Sequence, residues 1–201
     1  MEKDGLQQKI IDSLTPHIKK WAKDGKKIII GIEGNSGAGK TTLSFYLNTI
    51  FPNSCRLSMD LFIKGDKQTV GEKNLDYFSN NFFDVKLAES YIKKFKNSKE
   101  GDVVHFNVKG KKIEVDLHKQ ILFLDGIFFF NNSIGTSHLD KNILLVLEKK
   151  ELIKRRLARS KRHSAEYDDT LATKIDSAWE EYYNENKPNK KSDITLHLEV
   201  L

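Results

Sequence analysis

The sequence predicts a three-layer α/β/α fold built around a five-stranded parallel sheet. Three observations carry that expectation. Lys27–Glu33, Cys55–Met59, Gln120–Leu124, Asn142–Leu147 and Ile194–Leu201 are short, mainly apolar runs of strand length. The segments between them place apolar residues three or four positions apart, which is helical spacing. The first run also ends in a glycine-rich stretch that leads straight into such a segment. Strands alternating with helices favour a parallel sheet covered on both faces.

Each element follows from its residues. Leu6, Ile10, Leu14, Ile18 and Trp21 predict helix over the first 24 residues. Thr15 and Pro16 are expected to cap a second piece, since proline suits a first helical turn. Lys27–Glu33 is the first strand and Gly34–Gly39 a loop. Lys40–Ile50 is a helix with Leu43, Leu47 and Ile50 on its inner face. A second strand runs into Asp60. Asp84–Lys96 is a helix with Leu87, Tyr91 and Phe95 at spacing four. Val103–Val108 and Lys112–Leu117 flank Lys109-Gly110-Lys111, the pattern of a β-hairpin inserted on the sheet (residues 102–117). A third core strand reaches Asp125-Gly126 and a fourth covers Asn142–Leu147. A basic helix (149–163) and a helix with the stripe Leu171, Ile175, Trp179 and Tyr182 precede the last strand.

The chain has 201 residues, 38% hydrophobic and 31% charged, which suits one domain, 1–201, with a real core. One cysteine, Cys55, excludes a disulfide framework and a multi-cysteine zinc site; it reads as a small core hydrophobe. No apolar run approaches the ~20 residues that span a bilayer, and the charged start has no secretory pattern. The expectation is a cytoplasmic protein with no membrane partner. The formal charge is +6. Lys149–Arg162 alone holds eight basic residues against one acid, Glu151, so the excess sits in one segment. That distribution suits a local polyanion better than a nucleic acid, which favours a whole basic face. No aromatic residues alternate with the arginines to stack on bases.

Gly34-Asn35-Ser36-Gly37-Ala38-Gly39-Lys40-Thr41 fits G-x-x-x-x-G-K-[ST] without a gap, between a strand and a helix. A chance match in a chain this long arises at roughly 1% from average residue usage. The glycines let successive N–H groups turn toward phosphate oxygens, and the helix start adds positive potential. Lys40 is placed for the β- and γ-phosphates of ATP, and the Thr41 hydroxyl for Mg²⁺.

Two more core strands end in an acid, Asp60 and Asp125, at the edge where ligands of parallel sheets lie. If both strands neighbour the loop strand, both carboxylates face the phosphates. Either can hold a magnesium-bound water or take a proton from an attacking hydroxyl. Asp60 is assigned as base and Asp125 to the metal, with the reverse open. On the basic helix, Arg155, Arg159 and Arg162 share a face, while Ile153 and Leu157 are expected to hold the helix to the body. The arginine row reads as a lid that stabilises moving phosphoryl charge. In the hairpin, His105 and His118 are candidate acceptor contacts. Phe128-Phe129-Phe130 reads as core.

Other phosphate-loop classes lack their marks here. Asn189–Asp193 misses the guanine motif Asn-Lys-x-Asp by one residue, Phe128 replaces the switch glycine, and no Leu-Ser-Gly-Gly occurs. The remaining reading is a small kinase with a lid. The chain resembles the uridine kinase and phosphoribulokinase group of P-loop kinases from about Lys27 to Leu201. The resemblance rests on Gly34–Thr42, on Met59-Asp60-Leu61-Phe62-Ile63-Lys64, on Asn74-Leu75-Asp76 with Phe83-Asp84, on Asp125-Gly126, and on Arg155-Arg156 with Arg159. Trp179, Pro188 and Asp193-Ile194 extend it to the C-terminal end. It implies a P-loop NTPase fold, ATP with Mg²⁺, Asp60 as base, Thr42 among the phosphate-binding residues, lid arginines, and an acceptor site bordered by Asp84. The family tyrosine is Ile63 here, and the hairpin has Val104-His105-Phe106-Asn107 in place of the family's nucleoside-clamping residues. The expected acceptor is therefore a small-molecule hydroxyl, on a nucleoside or on a sugar or vitamin precursor. A regulatory nucleotide-binding protein is the rival, and homo-oligomerisation stays open.

Overall fold

The computed structural model describes residues 2–64, 83–108, 111–162 and 169–198. Asn74 and Asp76, the hairpin tip at 109–110 and the last three residues lie outside this set. The elements, in chain order, are α1 (Glu2–Trp21), β1 (Ile28–Gly34), α2 (Lys40–Ile50) and β2 (Ser54–Ser58), then a 3-10 turn at Met59–Phe62. After them come α3 (Val85–Asn97), β3 (Val103–Val108), β4 (Lys111–Asp116) and β5 (Ile121–Gly126). The chain closes with β6 (Lys141–Val146), α4 (Lys149–Arg162), α5 (Asp169–Asn186), α6 (Pro188–Lys191) and β7 (Ile194–His197).

Five strands form one sheet in the order β2-β5-β1-β6-β7, and every pair in it is parallel. β1 and β5 are buried along their whole length, as expected for strands covered on both faces. Alternate residues supply two apolar layers. Ile28, Ile30 and Ile32 pack with Leu43 and Leu47 of α2 and Leu14 and Ile18 of α1. Ile29, Leu122 and Leu124 pack on the opposite face with Ala88, Ile92 and Phe95 of α3. Each fully buried aliphatic or phenyl group contributes about 1.5–3 kcal/mol. The antiparallel β3–β4 hairpin is separate from the sheet. Its Phe106 stacks at 4.8 Å on Tyr91, and both meet Phe62 after β2.

Four local expectations are corrected. Pro16 lies inside one continuous helix, not at the head of a second piece. Burial of Ile11, Leu14 and Ile18 against the sheet outweighs the lost proline N–H bond. On α3, Phe95 is buried and Tyr91 packs against the same core, but Leu87 is exposed and Ala88 and Ile92 complete the inner face. In α5, Ala172, Asp176, Ala178 and Tyr182 are buried, while Ile175 and Trp179 are half-buried. On α2, Ile50 is exposed beyond the edge of the core. Of Phe128, Phe129 and Phe130, the first two are core as expected and the third is half-buried. Phe128 and Phe129 are buried, with Phe128 against Trp179 and Tyr182 of α5.

Candidate active site

The loop after β1 owes its path to its glycines. Gly37 has φ of 89° and Gly39 of 97°, a handedness that side chains rarely adopt. A Cβ on Gly37 would also lie 3.2 Å from the Leu152 carbonyl oxygen and 3.3 Å from Arg156 Cγ. Lys40 opens α2 and folds back across the loop, its Nζ donating to the Asn35 carbonyl at 3.0 Å. Burial pushes the Lys40 amine down to about 8; the charges of Asp125, Asp60 and Glu33 oppose that, and Arg159 adds to it. The cost of this ammonium is loss of water, a cost an arriving polyphosphate would offset.

Next to the loop strand, β5 carries Asp125, which is 1% exposed. Its Oδ1 accepts from Thr41 Oγ1 at 3.0 Å and from Ser58 Oγ at 3.0 Å. Its Oδ2 accepts from Ser44 Oγ at 2.9 Å, and Arg56 lies 3.6 Å away. Three hydroxyls and a guanidinium thus gather on one carboxylate at the mouth of the loop.

β2 does not adjoin β1; β5 stands between them. Asp60 nevertheless reaches the same edge, because Ser58 is in register with Asp125 and the 3-10 turn follows at once. Asp60 is exposed, and its charge acts on Lys40. Asp84 is brought beside this turn: its N–H donates to the Phe62 carbonyl at 2.7 Å, and Ile63 pairs with Phe83. The Asp84 carboxylate caps α3, accepting from Leu87 N at 3.0 Å. His105 is tied across the hairpin to Glu114 at 3.1 Å, both exposed. His118, past the hairpin, is also exposed.

The basic helix packs differently from expectation. Ile153 and Leu157 do not hold it to the body; Leu157 is exposed and both line an open groove with Lys150, Lys154, Ala158 and Lys161. The inward residues are Glu151, Leu152 and Arg156. Arg156 can be buried because Asp176 of α5 takes its fork, Nη1 to Oδ2 at 3.0 Å and Nη2 to Oδ1 at 2.6 Å. Acids neighbour most of the remaining charge: Lys149 pairs with Glu180, Lys150 with Glu148, and Lys154 and Arg155 with Glu151. Arg155 Nη1 lies 3.8 Å from where a Gly39 Cβ would stand. Arg159 is close enough to act on Lys40. Arg162 is exposed at the helix end, its Nε on the Ala158 carbonyl. The structure therefore brings together residues 34–42, Asp60, Asp125, Arg155 and Arg159, and leaves Arg162 and His105 facing outward.

Sequence reasoning missed two buried acids. Asp176 also accepts from Asn35 Nδ2 at 2.8 Å. Burial alone would raise its carboxyl, but the Arg156 and Asn35 hydrogen bonds hold it below the usual range. Glu33, at the end of β1, is fully buried. It accepts from Tyr182 Oη at 2.5 Å and Phe129 N at 2.7 Å, and burial still lifts its carboxyl to about 7. The signal for Glu33 was a lone charge inside an apolar strand. Ser44 and Ser58 each lie close to a motif residue, yet nothing in their spacing announced Asp125 as their shared acceptor.

Known proteins share both sequence and architecture with this chain. A uridine kinase of Chlamydia pneumoniae is 28% identical over 180 residues, covering 85% of this chain and 81% of that protein. A possible uridine kinase from Bacillus stearothermophilus has the same fold, with a TM-score of 0.60 at 17% identity, over 98% of this chain and all of that one. A D-glycerate 3-kinase from Cryptococcus neoformans shares it too, with a TM-score of 0.57 at 11% identity, over 89% and 87% of the two chains. The profile of the phosphoribulokinase/uridine kinase family matches residues 29–195, from the strand that launches the phosphate loop to the last strand of the sheet. By descent as well as by architecture, this chain is a P-loop kinase of the phosphoribulokinase/uridine kinase family.

Proposed function

We propose that this kinase transfers the γ-phosphoryl group of ATP to a hydroxyl of a small molecule, a nucleoside or a related acceptor. The observation that carries the reading is the meeting of Lys40, Thr41, Asp125 and Asp60 at one edge of the sheet. The loop amides and Lys40 would bind the polyphosphate. Asp60, one strand over and exposed, would orient the acceptor hydroxyl and take its proton. Arg155 and Arg159 would balance charge on the transferring group from the opposite side. Arg162 would join them only if the end of α4 turns inward.

The residues fit a magnesium ion. Thr41 donates its proton to Asp125, which leaves its oxygen lone pairs free, and the surrounding donors are the hard oxygens this ion prefers. Thr41 would ligate it, and Asp125 would hold one of its waters. Bound there, the ion would draw charge from the β- and γ-phosphates.

The hairpin favours a second acceptor class. His105 already has a charged partner in Glu114, and nearby Phe106 is turned into the Phe62–Tyr91 cluster. A sugar or a vitamin precursor makes fewer demands on this wall than a nucleobase does. The basic helix supports nucleotide over nucleic acid, since its inner residues clasp the phosphate loop and its neighbours are paired with acids. No helix among the described residues is long and apolar enough to cross a membrane.

ADP release over a panel of nucleosides, sugars and hydroxy acids tests the reading. Turnover with one class is expected. Tight ATP binding with no turnover on any of them would favour a regulatory nucleotide-binding protein instead.

A further inference from the structure

Arg156 sits in the basic helix, yet its guanidinium is turned inward onto the protein at all three nitrogens. Its fork is spent on Asp176, and its Nε donates to the Ser36 carbonyl at 2.9 Å. Asp176 in turn takes Asn35 Nδ2 on the oxygen that receives Arg156 Nη2. Both charged residues are 4% exposed. The pair grips two consecutive loop residues, one by its main-chain carbonyl and the other by its side chain.

The grip has a directional consequence. A trans peptide points its C=O and N–H in opposite directions. Fixing the Ser36 carbonyl on Arg156 therefore turns the Gly37 N–H away from the helix. That amide has no hydrogen-bond partner among the described residues. By contrast, the Ser36 N–H is used by Asn35 Oδ1 at 2.6 Å, and the Ala38 N–H by the Asn35 carbonyl at 3.1 Å. Gly37 φ is left-handed, so this peptide plane has another accessible orientation unless something holds it. A buried ion pair is a poor device for stability alone, because apolar residues of similar volume often serve as well.

We propose that Arg156 and Asp176 are positioning residues for nucleotide binding, holding the Ser36–Gly37 peptide so that its N–H is presented to a phosphate oxygen. The proposal rests on the reading of this loop as an ATP site. Calorimetry with Mg²⁺ and a non-hydrolysable ATP analogue tests it on the wild-type protein, Asp176→Asn and the double variant Arg156→Met/Asp176→Leu. The double variant removes both buried charges at once, so it is expected to fold with nearly unchanged thermal stability. Its analogue Kd should nevertheless rise tenfold or more, and Asp176→Asn should weaken binding in the same direction. In turnover assays KM for ATP should rise while KM for the acceptor stays put. A folded double variant with the wild-type Kd would overturn the proposal. If the double variant does not fold, Asp176→Asn decides alone, and a wild-type Kd there overturns it equally. Failure of the wild-type protein itself to bind the analogue would instead remove the ATP site, and this proposal with it.

Discussion

The two halves of the site are built differently. On the nucleotide side, the loop is held by buried groups from four elements: β5 through Asp125, α2 through Lys40, α4 through Arg156 and α5 through Asp176. On the side we propose for the acceptor, Asp60 is exposed, Asp84 caps its own helix and His105 is paired within its own hairpin. Interlocked buried groups fix a geometry that serves one ligand class. Exposed groups on local turns can be exchanged singly with little cost to the fold. A chain built this way can change its exposed half while its buried half stays fixed.

Asp60→Asn should break the acceptor side most deeply. It is expected to slow transfer by about 10²–10⁴-fold, the range for loss of a general base, while calorimetry shows ATP binding largely intact. Unchanged turnover would take Asp60 out of the base role. On the other side, Lys40→Met should lower kcat by roughly 10²–10³-fold, as for loss of one charge-stabilising donor, and should weaken nucleotide binding as well. The wild-type kcat/KM for ATP should decline as pH rises past about 8, where the free enzyme's Lys40 loses its charge. Over the same span the folded protein should gain stability, since the unfolded chain retains that proton to higher pH.

Glu33→Gln sharpens the comparison by probing the buried floor beneath the loop. The Glu33 carboxyl titrates near 7 in the folded protein against 4.5 when exposed, so the native state binds the extra proton between those values. Stability from this group is complete below about pH 4.5 and is lost as pH rises through 7. Melting temperature measured from pH 5 to pH 8 should fall for the wild type and fall less for the glutamine variant, which stays neutral. Parallel curves would mean that Glu33 is ionised throughout. His105→Ala should have the smallest effect. An exposed pair contributes about 0.2–1 kcal/mol to folding, so melting should shift little, and acceptor KM should rise only slightly because His105 is already engaged by Glu114. A larger rise would make the hairpin a direct acceptor contact.

What was legible in the sequence follows from sequence distance. β1, the loop and α2 form one contiguous signal, and the carboxylates of Asp60 and Asp125 announce themselves at strand ends. The five strands were legible because apolar runs of that length have few alternatives. On α3 the spacing caught Tyr91 and Phe95 but not Leu87, since the pattern alone does not tell Leu87 from Ala88; only packing separates them. Pro16 was read by local preference, and tertiary burial prevailed. Asp176 was illegible for a different reason. It meets Asn35 across 141 positions, and its partner Arg156 stands among arginines that look alike until one is seen buried.

Gly31 carries a lesson for mutational scanning. It lies mid-strand in β1, three residues short of the loop. A methyl group there would come within 2.5 Å of Asn142 Oδ1, 2.6 Å of Leu139 Cδ1 and 3.2 Å of Phe129 Cε2. Even alanine would therefore have to displace the ends of the Asn142, Leu139 and Phe129 side chains. A library selected for growth or fluorescence would score this position as intolerant on packing grounds alone. Depletion profiles of this protein thus need a folding readout alongside them before any intolerant site is credited with chemistry.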